Sequence, residues 1–208
     1  MTPRTVGEVM TREVVHARRA TPFKELVRLL HRHGISGLPV VDHDDKVLGV
    51  VSGTDLVRAQ AARGGGEGEE GRPVTAEQLM STPAITVHPE QPVPDAARVM
   101  ERHNVERLPV VDEEDRLIGI ATRRDLLRVF LRTDEAIRRD VLDTLRAGAP
   151  ELPAEAVDVS VREGMVTLAG RVTHRDDAAS AVWGAWRVDG VVGVVNALRY
   201  AADEAPRA

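Results

Sequence analysis

At 208 residues, with 42% hydrophobic and 29% charged content, the chain has the make-up of a soluble globular protein of one large or two small domains. Aromatic residues are only 2% and formal net charge is −5, which removes both the stacking platforms of single-strand binders and the basic surplus of duplex binders, so no nucleic-acid partner is expected. Cysteine is absent, which excludes disulfides, thiolate metal sites and a thiol nucleophile.

Met1-Thr2-Pro3-Arg4 leads into no apolar run, and no stretch reaches the ~18 apolar residues of a membrane span, so a cytoplasmic location is expected. Val6 to Met10 reads as a short helical lead-in and Val14-Val15 as a brief strand. Thr21 offers an N-cap, and Pro22 a first helical residue whose missing N–H costs nothing. Phe23, Leu26, Val27 and Leu30 share one helical face, and Gly34 is expected to close that helix in the left-handed conformation. His31 and His33 lie two apart on the helix and face different ways, so they cannot chelate a metal together. Strands follow at Leu38–Asp42 and Val47–Val51, joined by His43-Asp44-Asp45-Lys46, and Ser52 caps a helix to about Ala62.

Residues 63–73 form an expected flexible, acidic linker. Its Gly66, Gly68 and Gly71 spell G-x-G-x-x-G, but no strand precedes them and Glu67, Glu69 and Glu70 would repel a pyrophosphate, so it is not a dinucleotide fingerprint. Beyond the linker the first part is written again. Leu38-Pro39-Val40-Val41-Asp42 returns as Leu108-Pro109-Val110-Val111-Asp112, 70 positions later, and Pro22/Pro92, His33/His103, Gly49/Gly119 and Asp55/Asp125 keep that register. The second copy therefore predicts a strand at Ala84–Val87, a helix at Pro92–His103 closed by Asn104, strands at Leu108–Asp112 and Leu117–Ala121, and a helix from Arg123. Two copies are too few for a solenoid; they predict a pseudo-two-fold pair with two related clefts.

From Thr133 the pattern changes. Ile137, Val141, Leu142 and Leu145 stripe one helix, ended by Gly148 and Pro150. Val157–Val161 alternates as a half-buried strand, Glu163-Gly164 turns the chain into a strand at Met165–Val172, and a last strand spans Val191–Leu198. Between them lies a helix with an Ala-rich face (Ala178, Ala181, Val182, Ala185). Trp183 and Trp186 on this helix are expected in the core. The balance here is acidic, 9 Lys+Arg against 13 Asp+Glu over residues 134–208, compared with 19 against 20 over residues 1–133.

The pattern that bears chemistry is Ser52-Gly53-Thr54-Asp55, echoed by Thr122-Arg123-Arg124-Asp125. Each places a hydroxyl and, three residues on, a carboxylate where a strand turns into a helix. Ser/Thr-x-x-Asp is a capping box by spacing. A helix N-terminus also attracts anions, so the hydroxyl can meet a phosphate while the carboxylate accepts hydrogen bonds from a ribose diol. Spacing alone leaves the cap and the ligand role equally open. No G-x-S-x-G, H-E-x-x-H or G-x-x-x-x-G-K-[ST] occurs, and no carboxylate pair stands out, so no enzyme and no metal site are expected.

In these recurring motifs, residues 1–133 resemble a tandem pair of CBS domains, the Bateman module. The resemblance implies an α+β fold of two β-α-β-β-α repeats, residues 1–62 and 74–133, that binds adenosine-containing ligands in its clefts (AMP, ADP or ATP, or S-adenosylmethionine or NAD) and forms homodimers. Carried over by motif, one site would use Val14, Val15, Ile35, Ser36, Gly37, Ser52 and Asp55. The other would use Ala84, Ile85, Val105, Glu106, Arg107, Thr122, Arg124 and Asp125. Arg107, Arg123 and Arg124 stand where the first copy has Gly37, Gly53 and Thr54, so the second site is expected to hold phosphate more strongly.

Residues 134–200 resemble a small α+β BON domain, on Gly164-x-Val166-x-Leu168-x-Gly170-x-Val172, the Ala-rich helix, Gly190-Val191 and Val195-Asn196-x-Leu198; residues 201–208 form a tail. That resemblance implies a protein or phospholipid partner, though the acidic balance disfavours anionic lipid. Together they imply a non-enzymatic regulator in which nucleotide binding alters what the BON domain presents. The alternative is a ligand-free interaction protein whose BON domain docks on a membrane or protein.

Overall fold

The computed structural model describes residues 4–63, 74–148 and 156–200. The linker, apart from Arg63, and the tail expected at 201–208 lie outside them, as does Pro150. The chain divides into two compact units, one spanning Thr5–Leu126 and the other running from Leu127 and including Arg4. Among the described residues no helix is long and apolar enough to cross a membrane.

The first unit is the repeat made solid. Copy one runs α1 (Val6–Val9), β1 (Ala17–Arg18), α2 (Phe23–His33), β2 (Gly37–Val41), β3 (Val47–Ser52) and α3 (Gly53–Arg63). Copy two runs α4 (Ala76–Leu79), α5 (Val93–His103), β4 (Arg107–Val111), β5 (Leu117–Thr122) and α6 (Arg123–Leu127). The brief strand expected at Val14-Val15 forms instead at Ala17–Arg18, which pairs in parallel with Val40 and Val41. Its counterpart at Ala84–Val87 is reduced to a single bridge between Val87 and Val110. The strands β2 and β4 are buried along their whole length, as the apolar Leu-Pro-Val-Val run within each demands. Leu38, Val40, Leu108 and Val110 are sealed from solvent; each such side chain contributes about 1.5–3 kcal/mol.

Local chemistry explains the rest of the repeated motif. Asp42 Oδ1 accepts the N–H groups of Asp44 and Lys46, both at 2.9 Å, and Asp112 Oδ1 those of Glu114 and Arg116 at 3.0 and 2.8 Å. The aspartate of Leu-Pro-Val-Val-Asp is therefore a turn former. Gly34 and Asn104 both close their helices in the left-handed region, at φ 60° and 51°.

Between the copies the contacts come in symmetric pairs. Thr5 bridges Pro92 and Pro22 bridges Thr75; Thr11 bridges Ile120 and Val50 bridges Ser81. Adding 70 to the first-copy residue of one bridge and subtracting 70 from its second-copy partner gives the other bridge of the pair. Each copy's lead-in thus docks on its twin, not on itself.

The second unit holds a 3-10 turn at Arg128–Leu131, α7 (Asp134–Gly148), β6 (Val157–Arg162), β7 (Met165–Val172), α8 (Arg175–Trp186) and β8 (Gly193–Tyr200). Its sheet order is β6-β7-β8, with β6 antiparallel and β8 parallel to β7. Ile137, Val141, Val166, Leu168, Ala181 and Ala185 form its core. Arg132 binds Asp140 at 2.6 Å and the Asp189 carbonyl at 3.1 Å, so the segment after α6 packs with this unit. Trp183 and Trp186 are not in the core as expected; they are 65% and 52% exposed, with the Arg187 guanidinium 4.9 Å over the Trp183 ring. Ala178, Ala181 and Ala185 take the inward face of α8, and at about 100° per residue Trp183 lies roughly 140° round from Ala178.

Candidate functional site

The two hydroxyl–carboxylate pairs are built alike at the junctions of β3 with α3 and β5 with α6. Asp55 Oδ2 accepts the Ser52 hydroxyl at 2.6 Å and the Ser52 N–H at 2.8 Å, and the Asp55 N–H returns to Ser52 Oγ at 3.3 Å. Thr122 and Asp125 repeat this at 2.6, 2.9 and 3.4 Å. Both are reciprocal capping boxes. The cap occupies only one carboxylate oxygen of Asp55; Oδ1 has the Arg58 guanidinium at 3.9 Å, long for a bond.

Asp55 lines an open cleft of about 1180 Å³ between the two copies. Copy one contributes Ile35, Ser36, Ser52 and Asp55, with α2 giving Phe23, Val27 and His31 and α3 giving Arg58. Copy two contributes Ala84, Ile85, Val105, Glu106, Arg107 and Arg123. This corrects the expected grouping, in which the copy-two residues other than Arg123, which no site included, shared a site with Thr122 and Asp125. The cause is the crossed docking: Ser81 exchanges backbone hydrogen bonds with Val50 at 3.1 and 3.0 Å, which brings Ala84 and Ile85 to the end of β3. Thr11 likewise pairs with Ile120, carrying its segment toward β5 and away from Ser52. Accordingly Val14 and Val15 do not line the Asp55 cleft; Val14 lines a cavity of about 200 Å³ with Arg12, His16, Val41, Asp45 and Leu117. Gly37, Thr122, Arg124 and Asp125 do not line the large cleft either.

Arg107 is the cleft's most constrained charge. It is only 8% exposed, and its Nη2 donates to Ser36 Oγ at 2.7 Å, with Glu106 Oε2 at 3.7 Å. Burial lowers its pKa, while the charges of Glu106 and Asp55 act the other way. Its place is created by Gly37, its own equivalent in the repeat: a Cβ on Gly37 would land on the Arg107 guanidinium. The expectation that the arginines strengthen the Asp125 site is therefore corrected for Arg107 and Arg123. Arg107 and Arg123 face the cleft of Asp55, and Arg124 does not.

The cleft also holds residues that no motif in the sequence marks. Phe23 and Val27 share a helical face with Leu26 and Leu30, yet both line the cleft, and Val27 stays 42% exposed. Arg58, one turn beyond Asp55 on the same helix, was available as a signal. As for metals, one donor cluster of the described residues is Asp42, His43 and Asp44, within 4.8 Å of one another. Its Asp42 carboxylate already closes the turn, and the other two are exposed.

Residues 6–62 and 76–132 match the CBS domain family and residues 133–202 match the BON domain family. The chain belongs to the CBS domain family, as a tandem pair followed by a BON domain. An uncharacterised protein of Methanopyrus kandleri is 34% identical over 125 residues, covering 60% of this chain and 62% of its own length. The chain spans less than two thirds of the length of the curated relatives it matches. Among solved structures, the CBS domain pair of protein MJ0100, in complex with 5′-methylthioadenosine and S-adenosyl-L-methionine, is 29% identical over 61% of this chain and 98% of its own, with a TM-score of 0.54. CBSX2 in complex with AMP is 30% identical over 62% of this chain and 96% of its own, with a TM-score of 0.52.

Proposed function

We propose that the chain is a non-enzymatic regulatory protein that binds an adenosine-containing ligand, AMP, ADP or ATP first among them, in the cleft at Asp55. The observation that carries this is the second oxygen of Asp55, outside the cap in a cleft that also holds the Arg107 cation. A ribose diol can donate to Oδ1, apolar Ile85 and Val105 can flank a base, and Ser36 and Arg107 offer polar contacts. The ligand-bound structures of MJ0100 and CBSX2 support the ligand class. Ligand touching both copies favours one arrangement of the pair, by no more than its differential affinity for the two. That shift is relayed to the BON domain, within a homodimer formed through the CBS module.

A thermal-unfolding panel of AMP, ADP, ATP, S-adenosylmethionine and NAD tests the proposal. A ligand at ~100 times its Kd should stabilise the fold by about 2.7 kcal/mol. Asp55→Ala should abolish the shift; an unmoved melting temperature across the panel for the parent chain would remove the proposal.

A second reading has its own observation. Ser52 and Asp55 satisfy each other without any ligand, and Trp183 and Trp186 stand exposed on α8. The chain would then be a ligand-free interaction protein, docking through its BON domain. Liposome co-sedimentation that is unaffected by nucleotide, together with a silent thermal panel, is its signature.

A further inference from the structure

We infer that the outward face of α8, in the second unit, is a self-pairing surface. Two copies of the chain lay this helix antiparallel against its twin, with Trp183 of each seated on Ala179 and Ser180 of the other and Asp176 of each meeting Arg187 of the other. The inference concerns this unit alone and holds whether or not the first unit takes a ligand.

The helix is apolar on two opposite faces. Ala178, Ala181 and Ala185 fill the inward one. At about 100° per residue, Asp176, Ala179, Ser180, Trp186 and Arg187 fall within about 60° either side of Trp183, and all six are exposed. Arg187 follows the last helical residue and keeps near-helical backbone angles, φ −85° and ψ −6°. An apolar face on a helix is ordinarily covered; here the core covers only the inward one. The chain has two tryptophans, and both stand on the outward stripe, 65% and 52% exposed. Binding energy at interfaces concentrates in tryptophan and arginine, and exposed apolar patches mark such surfaces.

The order of residues along the stripe says what covers it. An acid opens it and a base closes it, about 16 Å apart along the axis, so the two cannot meet within one helix. Asp176 makes no side-chain hydrogen bond or ion pair among the described residues. Turned antiparallel, the stripe complements itself. Asp176 falls opposite Arg187 at both ends, and Trp183 falls opposite Ala179 and Ser180, whose small side chains leave room for its ring. This is the isologous contact of a two-fold pair. The Arg187 guanidinium already lies 4.9 Å over the Trp183 ring, and an arginine stacked by its face keeps its edge donors for a carboxylate. A membrane surface fits less well, since one arginine beside Asp176 gives the stripe no positive surplus. One helix face from each copy buries less than the roughly 1,200 Å² of a standard interface, so the pairing is weak and concentration dependent.

Acrylamide quenching of tryptophan fluorescence tests the inference on the full chain, because both tryptophans lie on the surface in question. At high chain concentration the parent's tryptophans should be shielded and their emission shifted to the blue. Asp176→Lys and Arg187→Glu each set like charges opposite one another, and each should expose the tryptophans and weaken self-association about tenfold. The two changes together in one chain reverse the sign of the pair and should recover the shielding, which no lipid surface or unrelated partner would reproduce. Trp183→Ala should weaken self-association most, about thirtyfold, as read by sedimentation equilibrium. Should the charge variants disturb α8, Ser180→Gln carries the test: it fills the notch for Trp183, keeps both charges and should abolish the pairing. Parent tryptophans that stay fully quenchable at the highest concentration, or a double variant no better shielded than the single ones, overturn the inference. Shielding that arises only on adding phosphatidylglycerol vesicles also overturns it and gives the face to a membrane.

Discussion

The two copies of the repeat share a fold closely and differ where it matters for a ligand. β2 and β4 carry the same buried pattern, β3 and β5 the same register including its shift, and the two capping boxes agree within about a tenth of an ångström. Yet α3 runs eleven residues and α6 only five before a 3-10 turn. Gly37 leaves a gap and Arg107 fills it. The backbone is kept by the buried Leu-Pro-Val-Val strands and the turn aspartates that both copies carry, while residues lining the cleft, Gly53 and Arg123 among them, differ between the copies. Symmetry in such a pair belongs to the scaffold, and asymmetry to the site.

The scaffold half of that comparison breaks most visibly at its centre. Leu38 and Leu108 are both 0% exposed at equivalent positions of β2 and β4. Leu38→Ala and Leu108→Ala should each cost about 2–5 kcal/mol. Urea unfolding of both should give the same loss to within about a kcal/mol, with unchanged m-values. A gap of several kcal/mol would mean that the two cores are not equivalent.

A middle-sized effect probes the crossed docking. An alanine Cβ at Gly49 would meet the Ser81 carbonyl oxygen at 2.6 Å, and that oxygen is held by the Val50 N–H. At Gly119 the nearest atoms belong to the Met10 side chain, which can move aside. Gly49→Ala should therefore cost about 1–3 kcal/mol, and Gly119→Ala distinctly less. Equal losses would show that the Met10 side chain is as fixed as backbone.

Much of this was legible in the sequence, and the missing part has a physical reason. Periodicity located the helices of ten residues or more and the strands of both hairpins, because each has a buried face that repeats at its own period, whereas the four-residue α4 (Ala76–Leu79) was not foreseen. The caps could be seen because Gly34, Asn104 and the Ser/Thr-x-x-Asp pairs are chosen for local backbone geometry. The composition of the cleft was not legible. Carrying the family motif over copy by copy puts Ala84 and Ile85 in the same site as Thr122, whereas the Ser81–Val50 bridge gives them to Ser52 and Asp55. A repeat says that two segments are alike and is silent on which twin each segment docks against. Trp183 and Trp186 escaped for another reason: alanines claimed the narrow inward face of α8, and tryptophan's size argued for burial that the packing had no room to give.

The smallest effect sharpens the comparison at the helix ends. Gly34 and Asn104 occupy the same left-handed closing position, and a Cβ on Gly34 would meet nothing within 4 Å, so only backbone preference separates the two. Glycine enters that region without steric cost, whereas asparagine enters it with a small penalty that its polar side chain partly offsets. Exchanging the residues should then move stability in opposite directions. Asn104→Gly should gain a few tenths of a kcal/mol and Gly34→Asn should lose about as much, with the double exchange close to the parent, because the two sites have no side-chain contact to couple them. Gly34→Ala, lacking the polar group, should lose more, about 1 kcal/mol. Chemical unfolding of the four variants in parallel resolves these differences as shifts in midpoint at constant m-value. A loss on Asn104→Gly would show that the asparagine side chain, at the rim of the cleft, does more than close its helix.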